Sequence, residues 1–382
     1  MRMEVCESCR YREKLRPDLQ IRKFQMKMRR DVVPWLLMTT FAPRAILAVA
    51  LVLFIGDVVL AQAEPASAVA EDPRILPYVE PGQLVDIGGR RINLHCTGAG
   101  SPTVILMSGL ASWSPVWYKT QSAIAKKTRV CAHDRAGYGF SDPGPRPQIL
   151  SDTVDDLHAA LKAGSIPGPY VLVGHSLGGV EARLYAQRWP EEVVGMVLVD
   201  TSPAAEGLIN EDHPGFAEVF GRETFFVNKM HCALLAAQGP LEPSRPEYKD
   251  CSLPLPSDTP AAFRKVFPQF FTAYYAATQV SLMSSLYTRR YDSVDHRHLG
   301  ALPLVVLSPE STWNNGTPAS VRFNQSYSKV WIAMHKALAH LSSRGIHRVI
   351  EGSGHSIHLE QPQAVIDAVE EVLGQLHAGA KP

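Results

Sequence analysis

"YVLVGHSLGGVEARLY", residues 170–185, joins two kinds of structure across a glycine-rich corner. The opening residues suit a buried β-strand, the closing ones suit a helix, and Ser176 stands at the apex. Gly174-His175-Ser176-Leu177-Gly178 is a G-x-S-x-G pattern, which is common as a bare string but specific between a strand and a helix. In that setting the glycines two before and two after the serine let the chain turn sharply while strand and helix pack closely. The serine hydroxyl then stands clear at the sheet edge as a nucleophile, and the Leu177 N–H, at the helix N-terminus, faces an oxyanion formed by its attack. An incidental serine in a glycine-rich turn is the bland alternative.

Working outward, the chain alternates apolar strands with helices. "QLVDIGG" and "RRINLHCTG" read as a hairpin joined at Gly88-Gly89, "PTVILMSG" as a buried strand, residues 115–127 as a helix and "RVCAHDR" as the next strand. "SDTVDDLHAALKAG" reads as a helix with Ser151 as N-cap and a stop at Gly164. After the quoted corner come "VGMVLVD", then, beyond an interruption, "LPLVVLSPE", a long helix around residues 330–343, "HRVIEGSG" and the terminal helix "PQAVIDAVEEVLGQLH". The alternation predicts an α/β fold, a mostly parallel sheet with helices on both faces. The interruption, residues 202–301, is rich in aromatic and helix-forming residues and has Pro-rich breaks such as "GPLEPSRPE". It is expected to be a helical lid over the carboxyl ends of the strands, where open α/β sheets bind ligands. The core is then residues 64–201 and 302–382.

Composition narrows the function. Of 382 residues 46% are hydrophobic and 20% charged, enough apolar content for a sizeable core. Residues 1–44 hold 11 Lys/Arg against 5 Asp/Glu, and "AILAVALVLFIG" and the small-x-small site Ala61-Gln62-Ala63 follow. Residues 1–63 therefore read as a secretory signal. A start at Met38 gives it an ordinary length, cleavage leaves Glu64 first, and the protein is expected in the periplasm or outside the cell. The alternative is an uncleaved membrane anchor through residues 45–60, a run that Asp57 interrupts and that is short of a bilayer span. Beyond residue 63 the chain carries 27 Lys/Arg and 31 Asp/Glu, which does not favour nucleic acid. The lone "CESC" of residues 6–9 is a weak metal or redox signal.

A serine hydroxyl needs a base. "EGSGHSIHLEQP", residues 351–362, supplies His355 on a loop after the last strand, with His358 read as a wall or structural residue. "MSGLASW", "HDRAGYGFSD", "GHSLGG" and "GSGHSIHLEQP", in this order, resemble the α/β-hydrolase superfamily from about residue 83 to 377, specifically its lidded serine hydrolases.

The resemblance implies an eight-stranded sheet with the lid after the sixth strand. It implies Ser176 as nucleophile, His355 as base, and an oxyanion hole of the Leu177 and Leu110 N–H groups. Leu110 enters by position after Ser108-Gly109, where the family has His-Gly. "DRAGYGFSD" corresponds to a structural loop, and Arg135 and Asp142 are assigned no chemistry. The usual acid, an aspartate after the strand following the lid, is missing from "LPLVVLSPESTWNNG", so two carboxylates compete. Asp200, at the end of "GMVLVD", matches the place from which some dehalogenases of the superfamily supply their acid, and otherwise caps a turn. Glu310 is the alternative.

The expected reaction is carboxylic ester hydrolysis through an acyl-enzyme on Ser176, with no metal or organic cofactor. C–C bond hydrolysis and prolyl aminopeptidase activity are alternatives on the same fold, and a ligand receptor without turnover is an alternative of another class. The partner is a small molecule. Aromatics in "FTAYYAATQ" and "ETFF" suggest an apolar acyl or aryl group, or else form the lid's own core. In such a fold Cys96 and Cys131 fall on neighbouring strands, and Cys232 with Cys251 would tie a loop of the lid. Either pair, both or neither is bridged.

Overall fold

The computed structural model describes residues 70–202, 222–239, 241–287, 298–312 and 318–379. The expected signal, the anchor alternative and the CESC motif lie outside them, as do residues 203–221 and 288–297 of the interruption. Among the described residues no helix is long and apolar enough to cross a membrane.

One eight-stranded sheet organises the chain: β1 (Gln83–Asp86), β2 (Arg91–Thr97), β3 (Thr103–Met107), β4 (Val130–His133), β5 (Tyr170–His175), β6 (Val193–Val199), β7 (Leu304–Pro309) and β8 (Gly345–Ile350). Their spatial order is β1-β2-β4-β3-β5-β6-β7-β8. The pairs β1–β2 and β2–β4 are antiparallel, and every pairing from β4 to β8 is parallel.

The helices of the core are α1 (Tyr118–Ile124), α2 (Leu150–Ala163) and α3 (Leu177–Arg188). Between β6 and β7 the described residues contribute α4 (Arg222–Ala237), α5 (Tyr248–Cys251), α6 (Ala261–Val266) and α7 (Ala273–Tyr287). After β7 come α8 (Pro318–Ala339), α9 (Ile357–Glu360) and α10 (Pro362–Gly379).

The period of two in the strands divides the core. Ile105, Leu172, Leu198 and Val306 face α2 and α3. Their neighbours Leu106, Val173, Val197 and Leu307 face α1 and α10 on the other side. Because both faces are covered, β3, β5 and β7 are buried at every residue, which is why they read as continuous apolar runs. The chain leaves β3 toward β4 on one side and β5 toward β6 on the other, so the sheet reverses winding between β3 and β5. The ligand crevice of an open α/β sheet belongs at the carboxyl edge of such a switch.

Two expected boundaries shift. Helix α2 starts at Leu150, so Ser151 lies inside it, and Asp152 closes the first turn by accepting the Ile149 N–H at 3.0 Å. Helix α8 begins at Pro318, well before residue 330. Proline suits a first turn, and the buried stripe Phe323, Tyr327, Trp331 and Leu338 carries the helical period back to that start.

Both cysteine pairs are disulfides. Cys96 and Cys131 stand opposite each other on β2 and β4, with Cα atoms 4.0 Å apart. Cys232 on α4 bonds Cys251 on α5. The aromatics Phe263, Phe267, Phe270, Phe271 and Tyr275 are buried together around Trp113 of the core, whereas Tyr274 is exposed. The "FTAYYAATQ" aromatics thus mostly fill the packing between insertion and core.

Candidate active site

At the end of β5 the chain turns through Ser176 with φ 51° and ψ −120°, a conformation that L-residues rarely adopt. The turn is held from both sides: the Ser176 N–H donates to Val199 O of β6 at 3.0 Å, and Ser176 O accepts the Thr201 hydroxyl at 3.1 Å. The glycines are sterically required. A Cβ on Gly174 would come within 2.4 Å of Gly178 O, and one on Gly178 within 2.1 Å of Met107 O. Ser176 itself stays partly exposed, and α3 begins with the next residue, so the Leu177 N–H is a free first-turn donor by position.

His355 follows the turn after β8. Its loop reaches the elbow because His175 Nε2 donates to His355 O at 2.9 Å, and the two rings lie 4.6 Å apart. A carbonyl only accepts, so this bond fixes His175 as the Nε2–H tautomer. His358 is buried between the His175 ring, at 4.3 Å, and that of Trp117, at 4.7 Å. Burial and the neighbouring imidazoles hold both His175 and His358 well below the usual histidine range, so both are neutral.

The two competing carboxylates part company. Asp200 is fully buried, and its Oδ2 lies 2.5 Å from His355 Nδ1. Its other oxygen accepts the Trp331 indole N–H at 2.5 Å. The residue is fixed at a positive φ of 40° by its N–H, which donates to Leu307 O at 2.9 Å. Glu310 is exposed, and its Oε2 accepts the Gly352 N–H at 2.9 Å in the neighbouring turn.

Burial pushes the Asp200 carboxyl up to about 7, against the opposing pull of His335 and Trp331, and pushes the His355 imidazole down to about 4. Each group is driven toward its neutral form, and the hydrogen bond between them lets one proton serve both.

Trp331 escaped the sequence reading, as did His335 beside it. His335 is wholly buried; its Nε2 donates to Thr201 O at 2.7 Å, so its Nδ1 accepts the Ser308 hydroxyl at 2.7 Å. Both residues belong to the aromatic stripe of α8, the one signal of them in the sequence.

After β3, residues 108–112 form the loop expected to hold Leu110. Ser108 O, Gly109 O, Leu110 O and Ala111 O all accept side-chain donors, from Arg135, Tyr138 and Tyr275. Gly109 packs against the His175 ring, where a Cβ would fall 2.9 Å from Nδ1. Among the described residues no group of three or more His, Cys, Asp or Glu is disposed to hold a metal ion.

Comparison with known proteins bears on the fold. The family model described as alpha/beta hydrolase fold matches residues 102–229. Protein YbdG of Bacillus subtilis is 32% identical over 122 residues, 31% of this chain and 37% of that protein. The 2-hydroxymuconate semialdehyde hydrolase of Pseudomonas sp. is 35% identical over 150 residues, 37% of this chain and 52% of that enzyme. The matches therefore span between about a third and a half of these relatives. A solved thermophilic esterase from Thermogutta terrifontis superimposes with a TM-score of 0.54 at 20% identity, over 78% of this chain and 99% of that one, a likeness of fold.

Proposed function

This chain is a protein of the α/β-hydrolase fold, and we propose that it is a serine hydrolase that cleaves carboxylic esters. The observation that carries the reading is the buried Asp200 carboxylate 2.5 Å from His355 Nδ1, on a loop that the residue before Ser176 holds by its main chain. Oriented through Nδ1 by Asp200, His355 would act as base through Nε2.

In the proposed reaction Ser176 Oγ attacks the ester carbonyl carbon while His355 Nε2 takes the hydroxyl proton. The N–H groups of Leu177 and Leu110 stabilise the tetrahedral oxyanion, and Asp200 stabilises the imidazolium. Collapse breaks the C–O bond to the alcohol, which leaves with the proton from Nε2. Water, deprotonated by the same nitrogen, then attacks the acyl-enzyme and releases the acid and Ser176.

Cleavage of a C–C bond by the same residues is the second reading, supported by the similarity to 2-hydroxymuconate semialdehyde hydrolase. An apolar cavity of about 60 Å³ lies between residues 113–118 and the insertion, lined by Trp113, Val116, Leu255, Phe267 and Leu359, and neither Ser176 nor His355 lines it. An apolar acyl or aryl group, under an insertion that acts as a lid, is therefore supported by the insertion's aromatic content. Two disulfides support export to an oxidising compartment.

A fluorophosphonate probe and a panel of p-nitrophenyl esters of rising chain length test this function. The expected outcome is labelling and ester turnover by the wild type, both abolished in Ser176→Ala. A wild type that is neither labelled nor active would favour a receptor, and turnover of 2-hydroxymuconate semialdehyde without ester turnover would favour the second reading.

A further inference from the structure

In a trans peptide the C=O and N–H lie in one plane and point in opposite directions, so whatever fixes the carbonyl also aims the N–H. The peptide that carries the Leu110 N–H has Gly109 O at its other side, and Gly109 O accepts from Arg135 Nη1 at 2.9 Å. Arg135 Nη2 holds the preceding carbonyl, Ser108 O, at 2.5 Å. The guanidinium thus grips the loop from behind, the side opposite to the one that Leu110 N–H faces.

Arg135 is in turn fixed from below. It is 3% exposed, and its Nε and Nη2 bind the two carboxylate oxygens of Glu181 at 2.7 and 2.5 Å. Glu181, also buried, takes the Thr153 hydroxyl at 2.7 Å as well. Glu181 lies on α3 four residues after Leu177, one helical turn from the other oxyanion donor. The ion pair therefore connects the peptide bearing one donor to the helix bearing the other, across the junction between β3 and β5.

We infer that Arg135, through Glu181, is a positioning residue that sets the aim and spacing of the two oxyanion donors. The inference rests on the reading of Ser176 as nucleophile. The planar guanidinium bonds a carboxylate and two carbonyls at once, a geometry that a lysine ammonium does not reproduce.

The test compares wild type with Arg135→Lys, which keeps a cation beside Glu181, using steady-state ester kinetics, the affinity of a trifluoromethyl ketone that adds to Ser176, and thermal melting. The expected result is a fall in kcat of about 10- to 100-fold with KM within about twofold, the scale of a weakened oxyanion donor. The ketone, whose hemiketal carries an oxyanion, should lose affinity in the same proportion as kcat/KM. A purely structural ion pair would lower the melting temperature without moving that ratio.

Should Arg135→Lys not fold, Glu181→Gln, which keeps the arginine and loosens its anchor, should show the same proportionality at smaller amplitude. Unchanged kcat, or equal weakening of substrate and ketone, in the folded variant overturns the inference alone. A wild type that forms no hemiketal overturns the serine-hydrolase reading and this inference with it.

Discussion

His175 donates its Nε2 proton to the main-chain carbonyl of His355 at 2.9 Å, so the residue before Ser176 holds the loop of His355. The middle of the sheet's carboxyl edge, at β5, is thereby tied to the loop after the outermost strand β8, 180 residues away in sequence. Glutamine at 175 places an amide N–H near the position of Nε2, whereas leucine fills the space without a donor. His175→Leu should lower kcat by about 10- to 100-fold, the scale of a misplaced catalytic group, and His175→Gln should recover most of it. Steady-state kinetics on both variants check this; equal losses would show that only volume matters there.

The carboxylate that orients His355 is open to substitution by its amide. Asp200→Asn should leave the fold intact and lower kcat by about four orders of magnitude, because the amide cannot stabilise the imidazolium. Glu310→Gln, at an exposed side chain, should change kcat by less than about twofold. Kinetics with circular dichroism as the folding control decide. Full activity in Asp200→Asn would transfer the role elsewhere.

The proton shared by Asp200 and His355 predicts a pH profile. The base works only with Nε2 unprotonated. With Asp200 raised to about 7 and His355 lowered to about 4, the pair takes up its first proton near the higher of the two values, so kcat/KM should fall as the pH drops through about 7. Trp331→Phe removes a donor to the ionised carboxylate, which raises Asp200 further. The acidic limb of the profile should therefore move to higher pH, and a limb that stays or moves down would contradict the assigned network.

The disulfides close loops of different length, with sequence separations of 35 for Cys96–Cys131 and 19 for Cys232–Cys251. From loop-closure entropy, replacing the first pair by alanine should cost about 4 kcal/mol and the second about 3 kcal/mol. Urea unfolding of the two double variants measures the ranking. Denatured, non-reduced protein should show no free thiol at these four positions.

What was legible in the sequence follows from the range of the interactions. The elbow announces itself because its signals are local: an apolar run, two glycines at fixed offsets and a helix start fall within a few residues. Strands buried on both faces read as continuous apolar runs for the same reason. The acid was ambiguous because an aspartate at a strand end also serves to cap a turn. What distinguishes Asp200 are partners 131 and 155 residues away, Trp331 and His355. Arg135 was passed over as part of a structural loop. The bonds that give it a role run to Gly109 O and to Glu181, and no spacing in the chain encodes either. The insertion aromatics pointed equally to a substrate wall and to a core, since burial around Trp113 depends on how the helices return to the sheet.

Because Asp200 directly follows β6, Ser176, Asp200 and both candidate oxyanion donors all lie within residues 110–200, before the insertion begins. His355 comes after it, and Asp200 takes its partners Leu307 and Trp331 from there as well. A segment exchanged between β6 and β7 would have to let β7, α8 and β8 bring Trp331 and His355 back, and would have to replace the Tyr275 hydroxyl that Ala111 O accepts beside Leu110. On the proposed reading the candidate catalytic residues and the insertion occupy separate stretches of the chain, so segments grafted between β6 and β7 would test whether the insertion sets selectivity.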